Sequence, residues 1–128
     1  MRYILSLPMM LFIVMVCLSC HKSGVPRGKF TGKLEVAGLC GQYTIQLLSG
    51  DADSSIHLTK SWFNPANDST YTNVFAASNF CYFSSVGLQV GDTFTFNPGP
   101  SSETCFTCML YYPTPPTQSA IINVQKQQ

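Results

Sequence analysis

Two stretches of this chain alternate strictly between apolar and polar residues, and this alternation constrains the fold more than any other feature. From Lys29 to Val36, the apolar side chains, including Phe30 and Leu34, fall on one face, and the lysines, threonine and glutamate fall on the other. Residues 93–96 repeat the pattern. Because successive side chains of a strand point to opposite faces, a period of two predicts strands with one buried face. No window carries the 3.6-residue apolar stripe of an amphipathic helix.

Further short strands are predicted along the rest of the chain, between turns rich in glycine, proline, asparagine and aspartate. They cover residues 43–48, 56–63, 70–77, 105–112 and 121–124, and a short apolar stretch occupies 80–83. Short strands at intervals of roughly ten residues are typical of sandwiches and small barrels. Val90-Gly91-Asp92 resembles the turn that enters a barrel strand in OB-like domains. We therefore predict an all-β fold, a small OB-like barrel, with an immunoglobulin-like β-sandwich as the alternative.

An apolar leader precedes the predicted domain. Arg2 carries one positive charge, and residues 4–18 are apolar except for one serine and one proline. This length suits the hydrophobic region of a secretory signal and falls short of the ~20 residues that span a membrane. The leader ends at Leu18-Ser19-Cys20, where the chain resembles a bacterial lipoprotein signal peptide. A plain signal peptide or a short anchor helix is the alternative.

The resemblance to lipoproteins implies a lipid anchor. In that family the cysteine thiol receives a diacylglycerol, the leader is cut just before the cysteine, and the new N-terminus is acylated, for example with palmitate. The chain would then consist of a signal peptide (1–19), a lipidated N-terminus and linker (20–28) and a single β-domain (29–128). Acyl chains on Cys20 would hold the protein at a membrane without spanning it, because each buried methylene contributes about 0.8 kcal/mol.

The segment after the leader also resembles small uncharacterised Bacteroidota lipoproteins. The motifs that carry this resemblance are Gly38-Leu39-Cys40-Gly41-Gln42-Tyr43, Tyr71-Thr72-Asn73-Val74-Phe75, Cys105-Phe106-Thr107-Cys108 and Tyr111-Tyr112-Pro113. The resemblance implies a location in the cell envelope and no particular activity. In lipoproteins, acidic residues just after the lipidated cysteine favour surface display, and His21-Lys22-Ser23-Gly24 contains none. We therefore expect an anchor in the outer membrane with the domain facing the periplasm.

The charge of the expected mature chain excludes one class of partner. The full chain has seven Lys and Arg residues and six Asp and Glu residues, and removing Arg2 with the leader leaves six of each sign. A nucleic-acid-binding protein needs a basic surface that neutralises phosphates, so we expect no nucleic-acid partner. The expected partners are the membrane, through the lipid anchor, and an envelope protein or a glycan.

The cysteines after the leader predict disulfides. Cys17 is removed with the expected leader and Cys20 is expected to be lipidated. Four cysteines remain, which are Cys40, Cys81, Cys105 and Cys108, and they can pair in three ways. An even number of cysteines in an exported chain indicates structural disulfides. We predict the pairs Cys40–Cys81 and Cys105–Cys108. One alternative is a redox-active dithiol at Cys105 and Cys108, which the strand-like residues after Cys108 disfavour. The other is a four-cysteine zinc site, which the presence of only one CxxC motif disfavours.

No catalytic constellation is recognisable in the sequence. His57 is the only histidine of the predicted domain, and the strand alternation puts it on the wet face. No serine lies in a nucleophile elbow, and Asp51 and Asp53 share a turn that lacks the other ligands of a calcium loop. We therefore predict a protein that is not an enzyme and needs no cofactor or metal.

Aromatic residues are the one indication of a ligand site. Trp62, Tyr71, Tyr111 and Tyr112 are candidates for a platform that binds a sugar or a peptide. The sequence as a whole favours a membrane-tethered cell-envelope lipoprotein with a non-catalytic binding or structural β-domain. The alternatives are a glycan- or peptide-binding module that uses these aromatics, and an envelope thiol-disulfide protein that uses the CxxC motif.

Overall fold

The structure of the chain is a computed structural model, and it describes residues 28–52, 55–100 and 108–128. The expected signal peptide, Cys20 and the linker up to residue 27 lie outside these described residues, as do Asp53 and Cys105. Within the described ranges, no helix combines the length and the hydropathy needed to cross a membrane.

In the described ranges, strands make up most of the regular structure, and one short helix accompanies them. The strands are β1 (Phe30–Ala37), β2 (Tyr43–Ser49), β3 (Thr59–Asn64), β4 (Ser69–Ala77), β5 (Thr93–Pro98), β6 (Gln118–Ser119) and β7 (Ile121–Lys126). The helix α1 (Phe80–Ser85) lies between β4 and β5 in the chain.

The two alternating stretches are strands, as predicted. Along β1 every second side chain is buried, including those of Phe30, Leu34 and Val36. In β5, Phe94 and Phe96 are fully buried, and Thr95 between them is also only 5 % exposed. The period of two therefore marks the side chains that face the core in both strands, although β5 is covered on its other face as well.

Two stretches differ from a simple series of strands. Residues 80–83 begin the helix α1, which is too short to show a helical period and buries only Phe83. Residues 108–112, predicted as part of a strand, pair with no strand in the described part of the chain. Three prolines follow them within residues 113–116, and proline has no N–H group with which to continue a ladder.

All seven strands belong to one sheet in the order β3-β4-β2-β1-β5-β7, with β6 beside β4. Neighbouring strands are antiparallel, except that β6 runs parallel to β4. The all-β prediction is therefore confirmed. Among the described strands no ladder joins β3 with β7, so the sheet is not closed, and the strands do not divide into the two sheets of the alternative sandwich.

One bent segment bridges the two sides of this open sheet. The strand β6 pairs with β4 and β7 pairs with β5, and only Ala120 separates β6 from β7. The carbonyl of Thr117 accepts a hydrogen bond from the Ala76 N–H at 2.9 Å, and the carbonyl of Ala120 accepts one from the Gly99 N–H at 3.0 Å. This segment thus bridges the sheet without closing the predicted barrel into one continuous ladder.

Phenylalanine rings form the centre of the core. Phe96 packs against Phe30, Phe75 and Phe94, with ring centroids 5.6, 6.0 and 5.7 Å apart. Phe83, from α1, contacts Phe94 at 5.6 Å. All five side chains are at most 1 % exposed. Aromatic residues bury ~150–250 Å² each, and their offset or tilted contacts add further stabilisation.

A buried asparagine holds α1 against β7. Asn79, which precedes the helix, is 3 % exposed. Its Nδ2 donates to the carbonyl of Ile121 at 2.5 Å, and its Oδ1 accepts from the N–H of the same residue at 3.0 Å. The Oη of Tyr82 also accepts a hydrogen bond from the Val124 N–H at 3.1 Å. Because a buried amide group must satisfy both its donor and its acceptor, Asn79 determines where the helix lies.

The turn before β5 uses the glycine and the aspartate that the sequence places there. Gly91 has a φ of +94°, which glycine adopts without steric conflict because it has no side chain. The Oδ2 of Asp92 accepts a hydrogen bond from the Gln89 N–H at 2.9 Å and lies 2.9 Å from the Lys126 Nζ. The Gln89 hydrogen bond and the Lys126 ammonium lower the pKa of Asp92 from its ordinary value.

Truncation of Phe96 tests the aromatic core. We expect Phe96→Ala to lower the free energy of unfolding by about 3–5 kcal/mol, because it removes a buried ring and leaves a cavity among three others. Urea denaturation followed by circular dichroism measures this change. Phe63→Ala is the matched control, since the Phe63 ring is 52 % exposed on β3, and it should change stability by less than about 1 kcal/mol. Equal losses in the two variants would contradict this account of the core.

The lowered pKa of Asp92 predicts a pH dependence of stability. A carboxyl group whose pKa is lower in the folded state stabilises the fold above its unfolded pKa, near 3.8, and this contribution disappears as the pH falls through the folded pKa. We expect Asp92→Asn to make stability less dependent on pH in this acidic range. Urea midpoints measured between neutral and acidic pH test this expectation, which fails if both proteins show the same pH profile.

Candidate functional site

A groove lies at the end of the sheet where β1 and β4 finish and β2 begins. Three parts of the chain line it, within residues 40–43, 76–80 and 108–118. Its volume is about 380 Å³, and ligand sites in proteins usually measure ~300–1,000 Å³. Because Cys40 and Cys108 are among the lining residues, we call it the disulfide groove.

A disulfide between Cys40 and Cys108 forms part of the groove wall. The two residues are 68 positions apart in the sequence, and their Cα atoms are 5.4 Å apart, a normal spacing for bonded cysteines. The bond ties the turn between β1 and β2 to the segment that leads into β6. Neither the turn nor this segment has strand partners of its own at this point, so the disulfide defines their relative position.

The disulfide corrects the predicted pairing. Cys40 does not bond to Cys81, and Cys108 does not bond to Cys105, because the fold places Cys108 beside the turn between β1 and β2. Cys81 is disulfide-bonded as well, and its partner lies outside the described residues. Sequence spacing could not reveal this pairing, since it depends on where the unpaired segment after residue 107 crosses the sheet.

Gln42 supports the disulfide with hydrogen bonds in two directions. Its Oε1 accepts from the Cys40 N–H at 2.9 Å, and its Nε2 donates to the Leu110 carbonyl at 2.9 Å. Its backbone carbonyl accepts from the Gly38 N–H at 2.8 Å, which closes the turn. One side chain therefore links the two walls of the groove next to the covalent link.

Gly41 allows the turn to approach α1 closely. Its φ is +78°, a conformation that favours glycine. A Cβ atom at this position would lie 2.8 Å from the ring of Phe80, which is closer than van der Waals contact permits. The absence of a side chain at Gly41 thus brings the Phe80 ring into the groove wall.

The described lining of the groove combines aromatic rings with uncharged polar groups. Its rings belong to Tyr43, Phe80, Tyr111 and Tyr112. Neutral hydrogen-bonding groups come from Ser78, Thr114 and Gln118, whose side chains make no hydrogen bond to the rest of the described chain. None of the described lining residues is an aspartate, glutamate, lysine, arginine or histidine. The groove therefore suits a neutral ligand that has both apolar surface and hydrogen-bonding groups.

Large apolar side chains are exposed around the disulfide. Tyr111 is 87 % exposed and Leu110 is 54 % exposed, while Leu39 and Met109, each next to a bonded cysteine, are 85 % and 100 % exposed. The disulfide brings Leu39 and the other three residues together from distant parts of the sequence. Clustered exposed apolar residues of this kind mark interaction sites more often than isolated ones do.

The aromatic residues predicted to form one platform lie in two places. Tyr111 and Tyr112 line the disulfide groove, whereas Trp62 and Tyr71 do not. Trp62 and Tyr71 are cross-strand partners on β3 and β4, and their ring centroids are 6.0 Å apart. The Tyr71 Oη also accepts a hydrogen bond from Asn67 Nδ2 at 2.7 Å. The second pair therefore stabilises the hairpin of β3 and β4, away from the groove.

The remaining candidate residues do not form a metal-binding cluster in the described ranges. No group of three or more histidine, cysteine, aspartate or glutamate residues there could hold a metal ion. His57 is exposed, and its backbone N–H donates to the Ser119 Oγ at 3.2 Å. Asp51 is exposed and lies two residues after the end of β2. The four-cysteine zinc alternative also loses Cys40 and Cys108, which are bonded to each other.

Several groove residues were not predicted as site residues. They are Gln42, Ser78 and Thr114, which lie between strands, and Gln118, which begins β6. Nothing in the spacing of these residues relates one to another. Only the crossing of three chain segments at one end of the sheet makes them neighbours.

No family model, curated protein or solved structure matches this chain. The fold and the groove by themselves define its class, which is an all-β protein with one open sheet and a groove beside a disulfide, whose described lining residues are uncharged.

Removal of the disulfide should destabilise the protein and alter the groove. We expect the double variant Cys40→Ala/Cys108→Ala to lose up to about 4 kcal/mol of stability, the chain-entropy value for a loop of this length. Urea denaturation measures the loss, and the amide NMR shifts of Gln42 and Leu110 report on the groove. A double variant with native stability and native shifts would contradict the role given to this bond.

Proposed function

We propose that this protein is a lipid-anchored component of the bacterial cell envelope whose β-domain binds a partner or ligand without catalysing a reaction. The lipoprotein-like leader ending in Cys20 supports the anchor. The observation that carries the binding role is the uncharged aromatic groove beside the Cys40–Cys108 disulfide. An outer-membrane anchor with the domain in the periplasm remains the expected location.

The disulfides support export from the cytosol. Cys40 and Cys108 are bonded to each other, and Cys81 is also in a disulfide. Disulfides form and persist in oxidising compartments such as the bacterial periplasm, and they are rare in the cytosol of most organisms. An exported chain is what the leader predicts, so two independent features of the protein support the same compartment.

The position of the groove fits a domain tethered at its N-terminus. The linker would enter the fold at Lys29, whose N–H donates to the Asn97 Oδ1 at 2.8 Å. The eight-residue strand β1 then runs to Ala37, a rise of about 25 Å, before the chain reaches Cys40. The groove lies at the opposite end of β1 from the residue where the proposed linker would join the fold. This separation would leave the groove accessible to a partner if the chain is anchored through Cys20.

The thiol-disulfide alternative has less support. A CxxC redox site works through a bond that forms and breaks between its own two cysteines, and here Cys108 is bonded to Cys40. Such cysteines also usually lie at the N-terminus of a helix, where the thiolate is stabilised. Residues 108–112 belong to no helix.

Intact mass spectrometry of the protein purified from bacterial membranes tests the anchor. We expect a chain that starts at Cys20 and carries a diacylglycerol and an N-terminal acyl chain, because this is the modification that the leader predicts. Cys20→Ala is the control, and it should be recovered without acyl chains. A protein that keeps residues 1–19, or that leaves the cell as a free chain without lipid, would refute the proposal.

The proposed lipidation also predicts the second disulfide, and the same sample tests it. A lipidated Cys20 and the loss of Cys17 leave Cys105 as the one remaining cysteine that Cys81 can bond. Peptide mapping without reductant should therefore recover a Cys81–Cys105 peptide pair alongside the Cys40–Cys108 pair. A bond from Cys81 to Cys20 would exclude lipidation of Cys20.

A further inference from the structure

We propose that the disulfide groove binds a neutral oligosaccharide, an inference that rests on the binding role proposed above and specifies its ligand. The occupant is identified by three properties of the groove: its charge, the pairing of rings with neutral polar groups, and its size.

The lack of charged side chains in the described lining disfavours ionic ligands. None of the described residues that line the groove carries a formal charge. Placing an anion or a cation there would cost free energy, because a charged group that leaves water needs an opposite charge or several hydrogen bonds in return. A ligand without charge avoids this cost.

The lining combines flat apolar surfaces with neutral donors and acceptors. A sugar ring has faces of C–H groups that pack against aromatic rings, and its edge carries hydroxyl groups. Tyr111 is 87 % exposed and offers its ring, and Tyr112 lies next to it in the groove. The side chains of Ser78 and Gln118 have no hydrogen-bond partner among the described residues and can bind hydroxyl groups.

The size of the groove suits a short stretch of a glycan. A volume of about 380 Å³ lies near the lower end of the range for ligand sites and holds roughly two sugar rings. The groove is also built in advance, since the Cys40–Cys108 bond and the two hydrogen bonds of Gln42 hold its walls. A site that needs no ordering upon binding loses less entropy.

An extended peptide fits less well. Peptides commonly bind by adding a strand to an exposed backbone edge. The segment from 108 to 116 offers few groups for such pairing, because Pro113, Pro115 and Pro116 have no N–H. The carbonyl of Leu110 already accepts a hydrogen bond from Gln42.

Calorimetric titration of the purified full chain tests this proposal. The probes are cellohexaose, maltohexaose and chitohexaose, which are neutral, and a hexamer of galacturonate, which is anionic. The protein is kept in lauryldimethylamine oxide, because detergents with sugar headgroups would compete for the groove. We expect at least one neutral hexasaccharide to bind with a Kd below about 1 mM and the galacturonate hexamer to bind at least tenfold more weakly.

Variants locate the binding in the groove. Tyr111→Ala should weaken binding of the preferred hexasaccharide about tenfold or more, and Gln118→Ala should weaken it as well. Both side chains are exposed, so the variants should keep the native circular dichroism spectrum. Phe63→Ala is the matched control, because it removes an exposed ring on β3, outside the groove, and it should bind as the native protein does.

Three results would overturn the inference. The first is that no neutral probe binds at 10 mM or below, roughly ten times the expected limit. The others are tighter binding of the anionic probe, and equal losses of affinity in Tyr111→Ala and Phe63→Ala. These results are distinguishable from failure of the proposed anchor. A lipidated protein that binds no glycan keeps its anchor and loses only the ligand. A chain without lipid that still binds cellohexaose through Tyr111 refutes the anchor and supports the groove.

Discussion

Packing of phenylalanine rings against one face of the sheet is the interaction on which the rest of this structure depends. Phe96 contacts rings from β1, β4 and β5, and Phe83 brings α1 into the same cluster. A sheet with a single buried face needs another element to cover that face. Here the helix of six residues supplies part of the cover, and the five phenylalanine rings make up half of the buried core cluster.

The cover would be incomplete without the C-terminal segment. Residues 117–126 hydrogen-bond to β4 on one side and to β5 on the other, and Asn79 binds both backbone groups of Ile121. These bonds satisfy polar groups that would otherwise be buried without partners. Gln118 lies in the groove wall because β6, which begins this segment, pairs with the end of β4.

The proposed binding site is made of segments that are not regular structure. The turn between β1 and β2 and the chain from 108 to 116 meet at the end of the sheet, and the Cys40–Cys108 bond with Gln42 holds them there. Strands that end at one edge position such loops, and binding residues are commonly found on loops that a rigid scaffold holds in place. A covalent link is an effective support at this point, because neither segment gains stability from a ladder.

The sequence by itself determined the all-β class, the buried faces of β1 and β5 and the turn at Gly91 and Asp92, because side-chain period and turn chemistry act over a few neighbouring residues. Only the tertiary structure decided that the sheet stays open with a bridging strand, that residues 80–83 start a helix, and that Cys40 bonds to Cys108. The tertiary structure likewise places Tyr111 and Tyr112 in the groove, and Trp62 and Tyr71 on the hairpin of β3 and β4. Contacts between residues tens of positions apart depend on how whole strands are ordered, and no local pattern in the chain encodes that order.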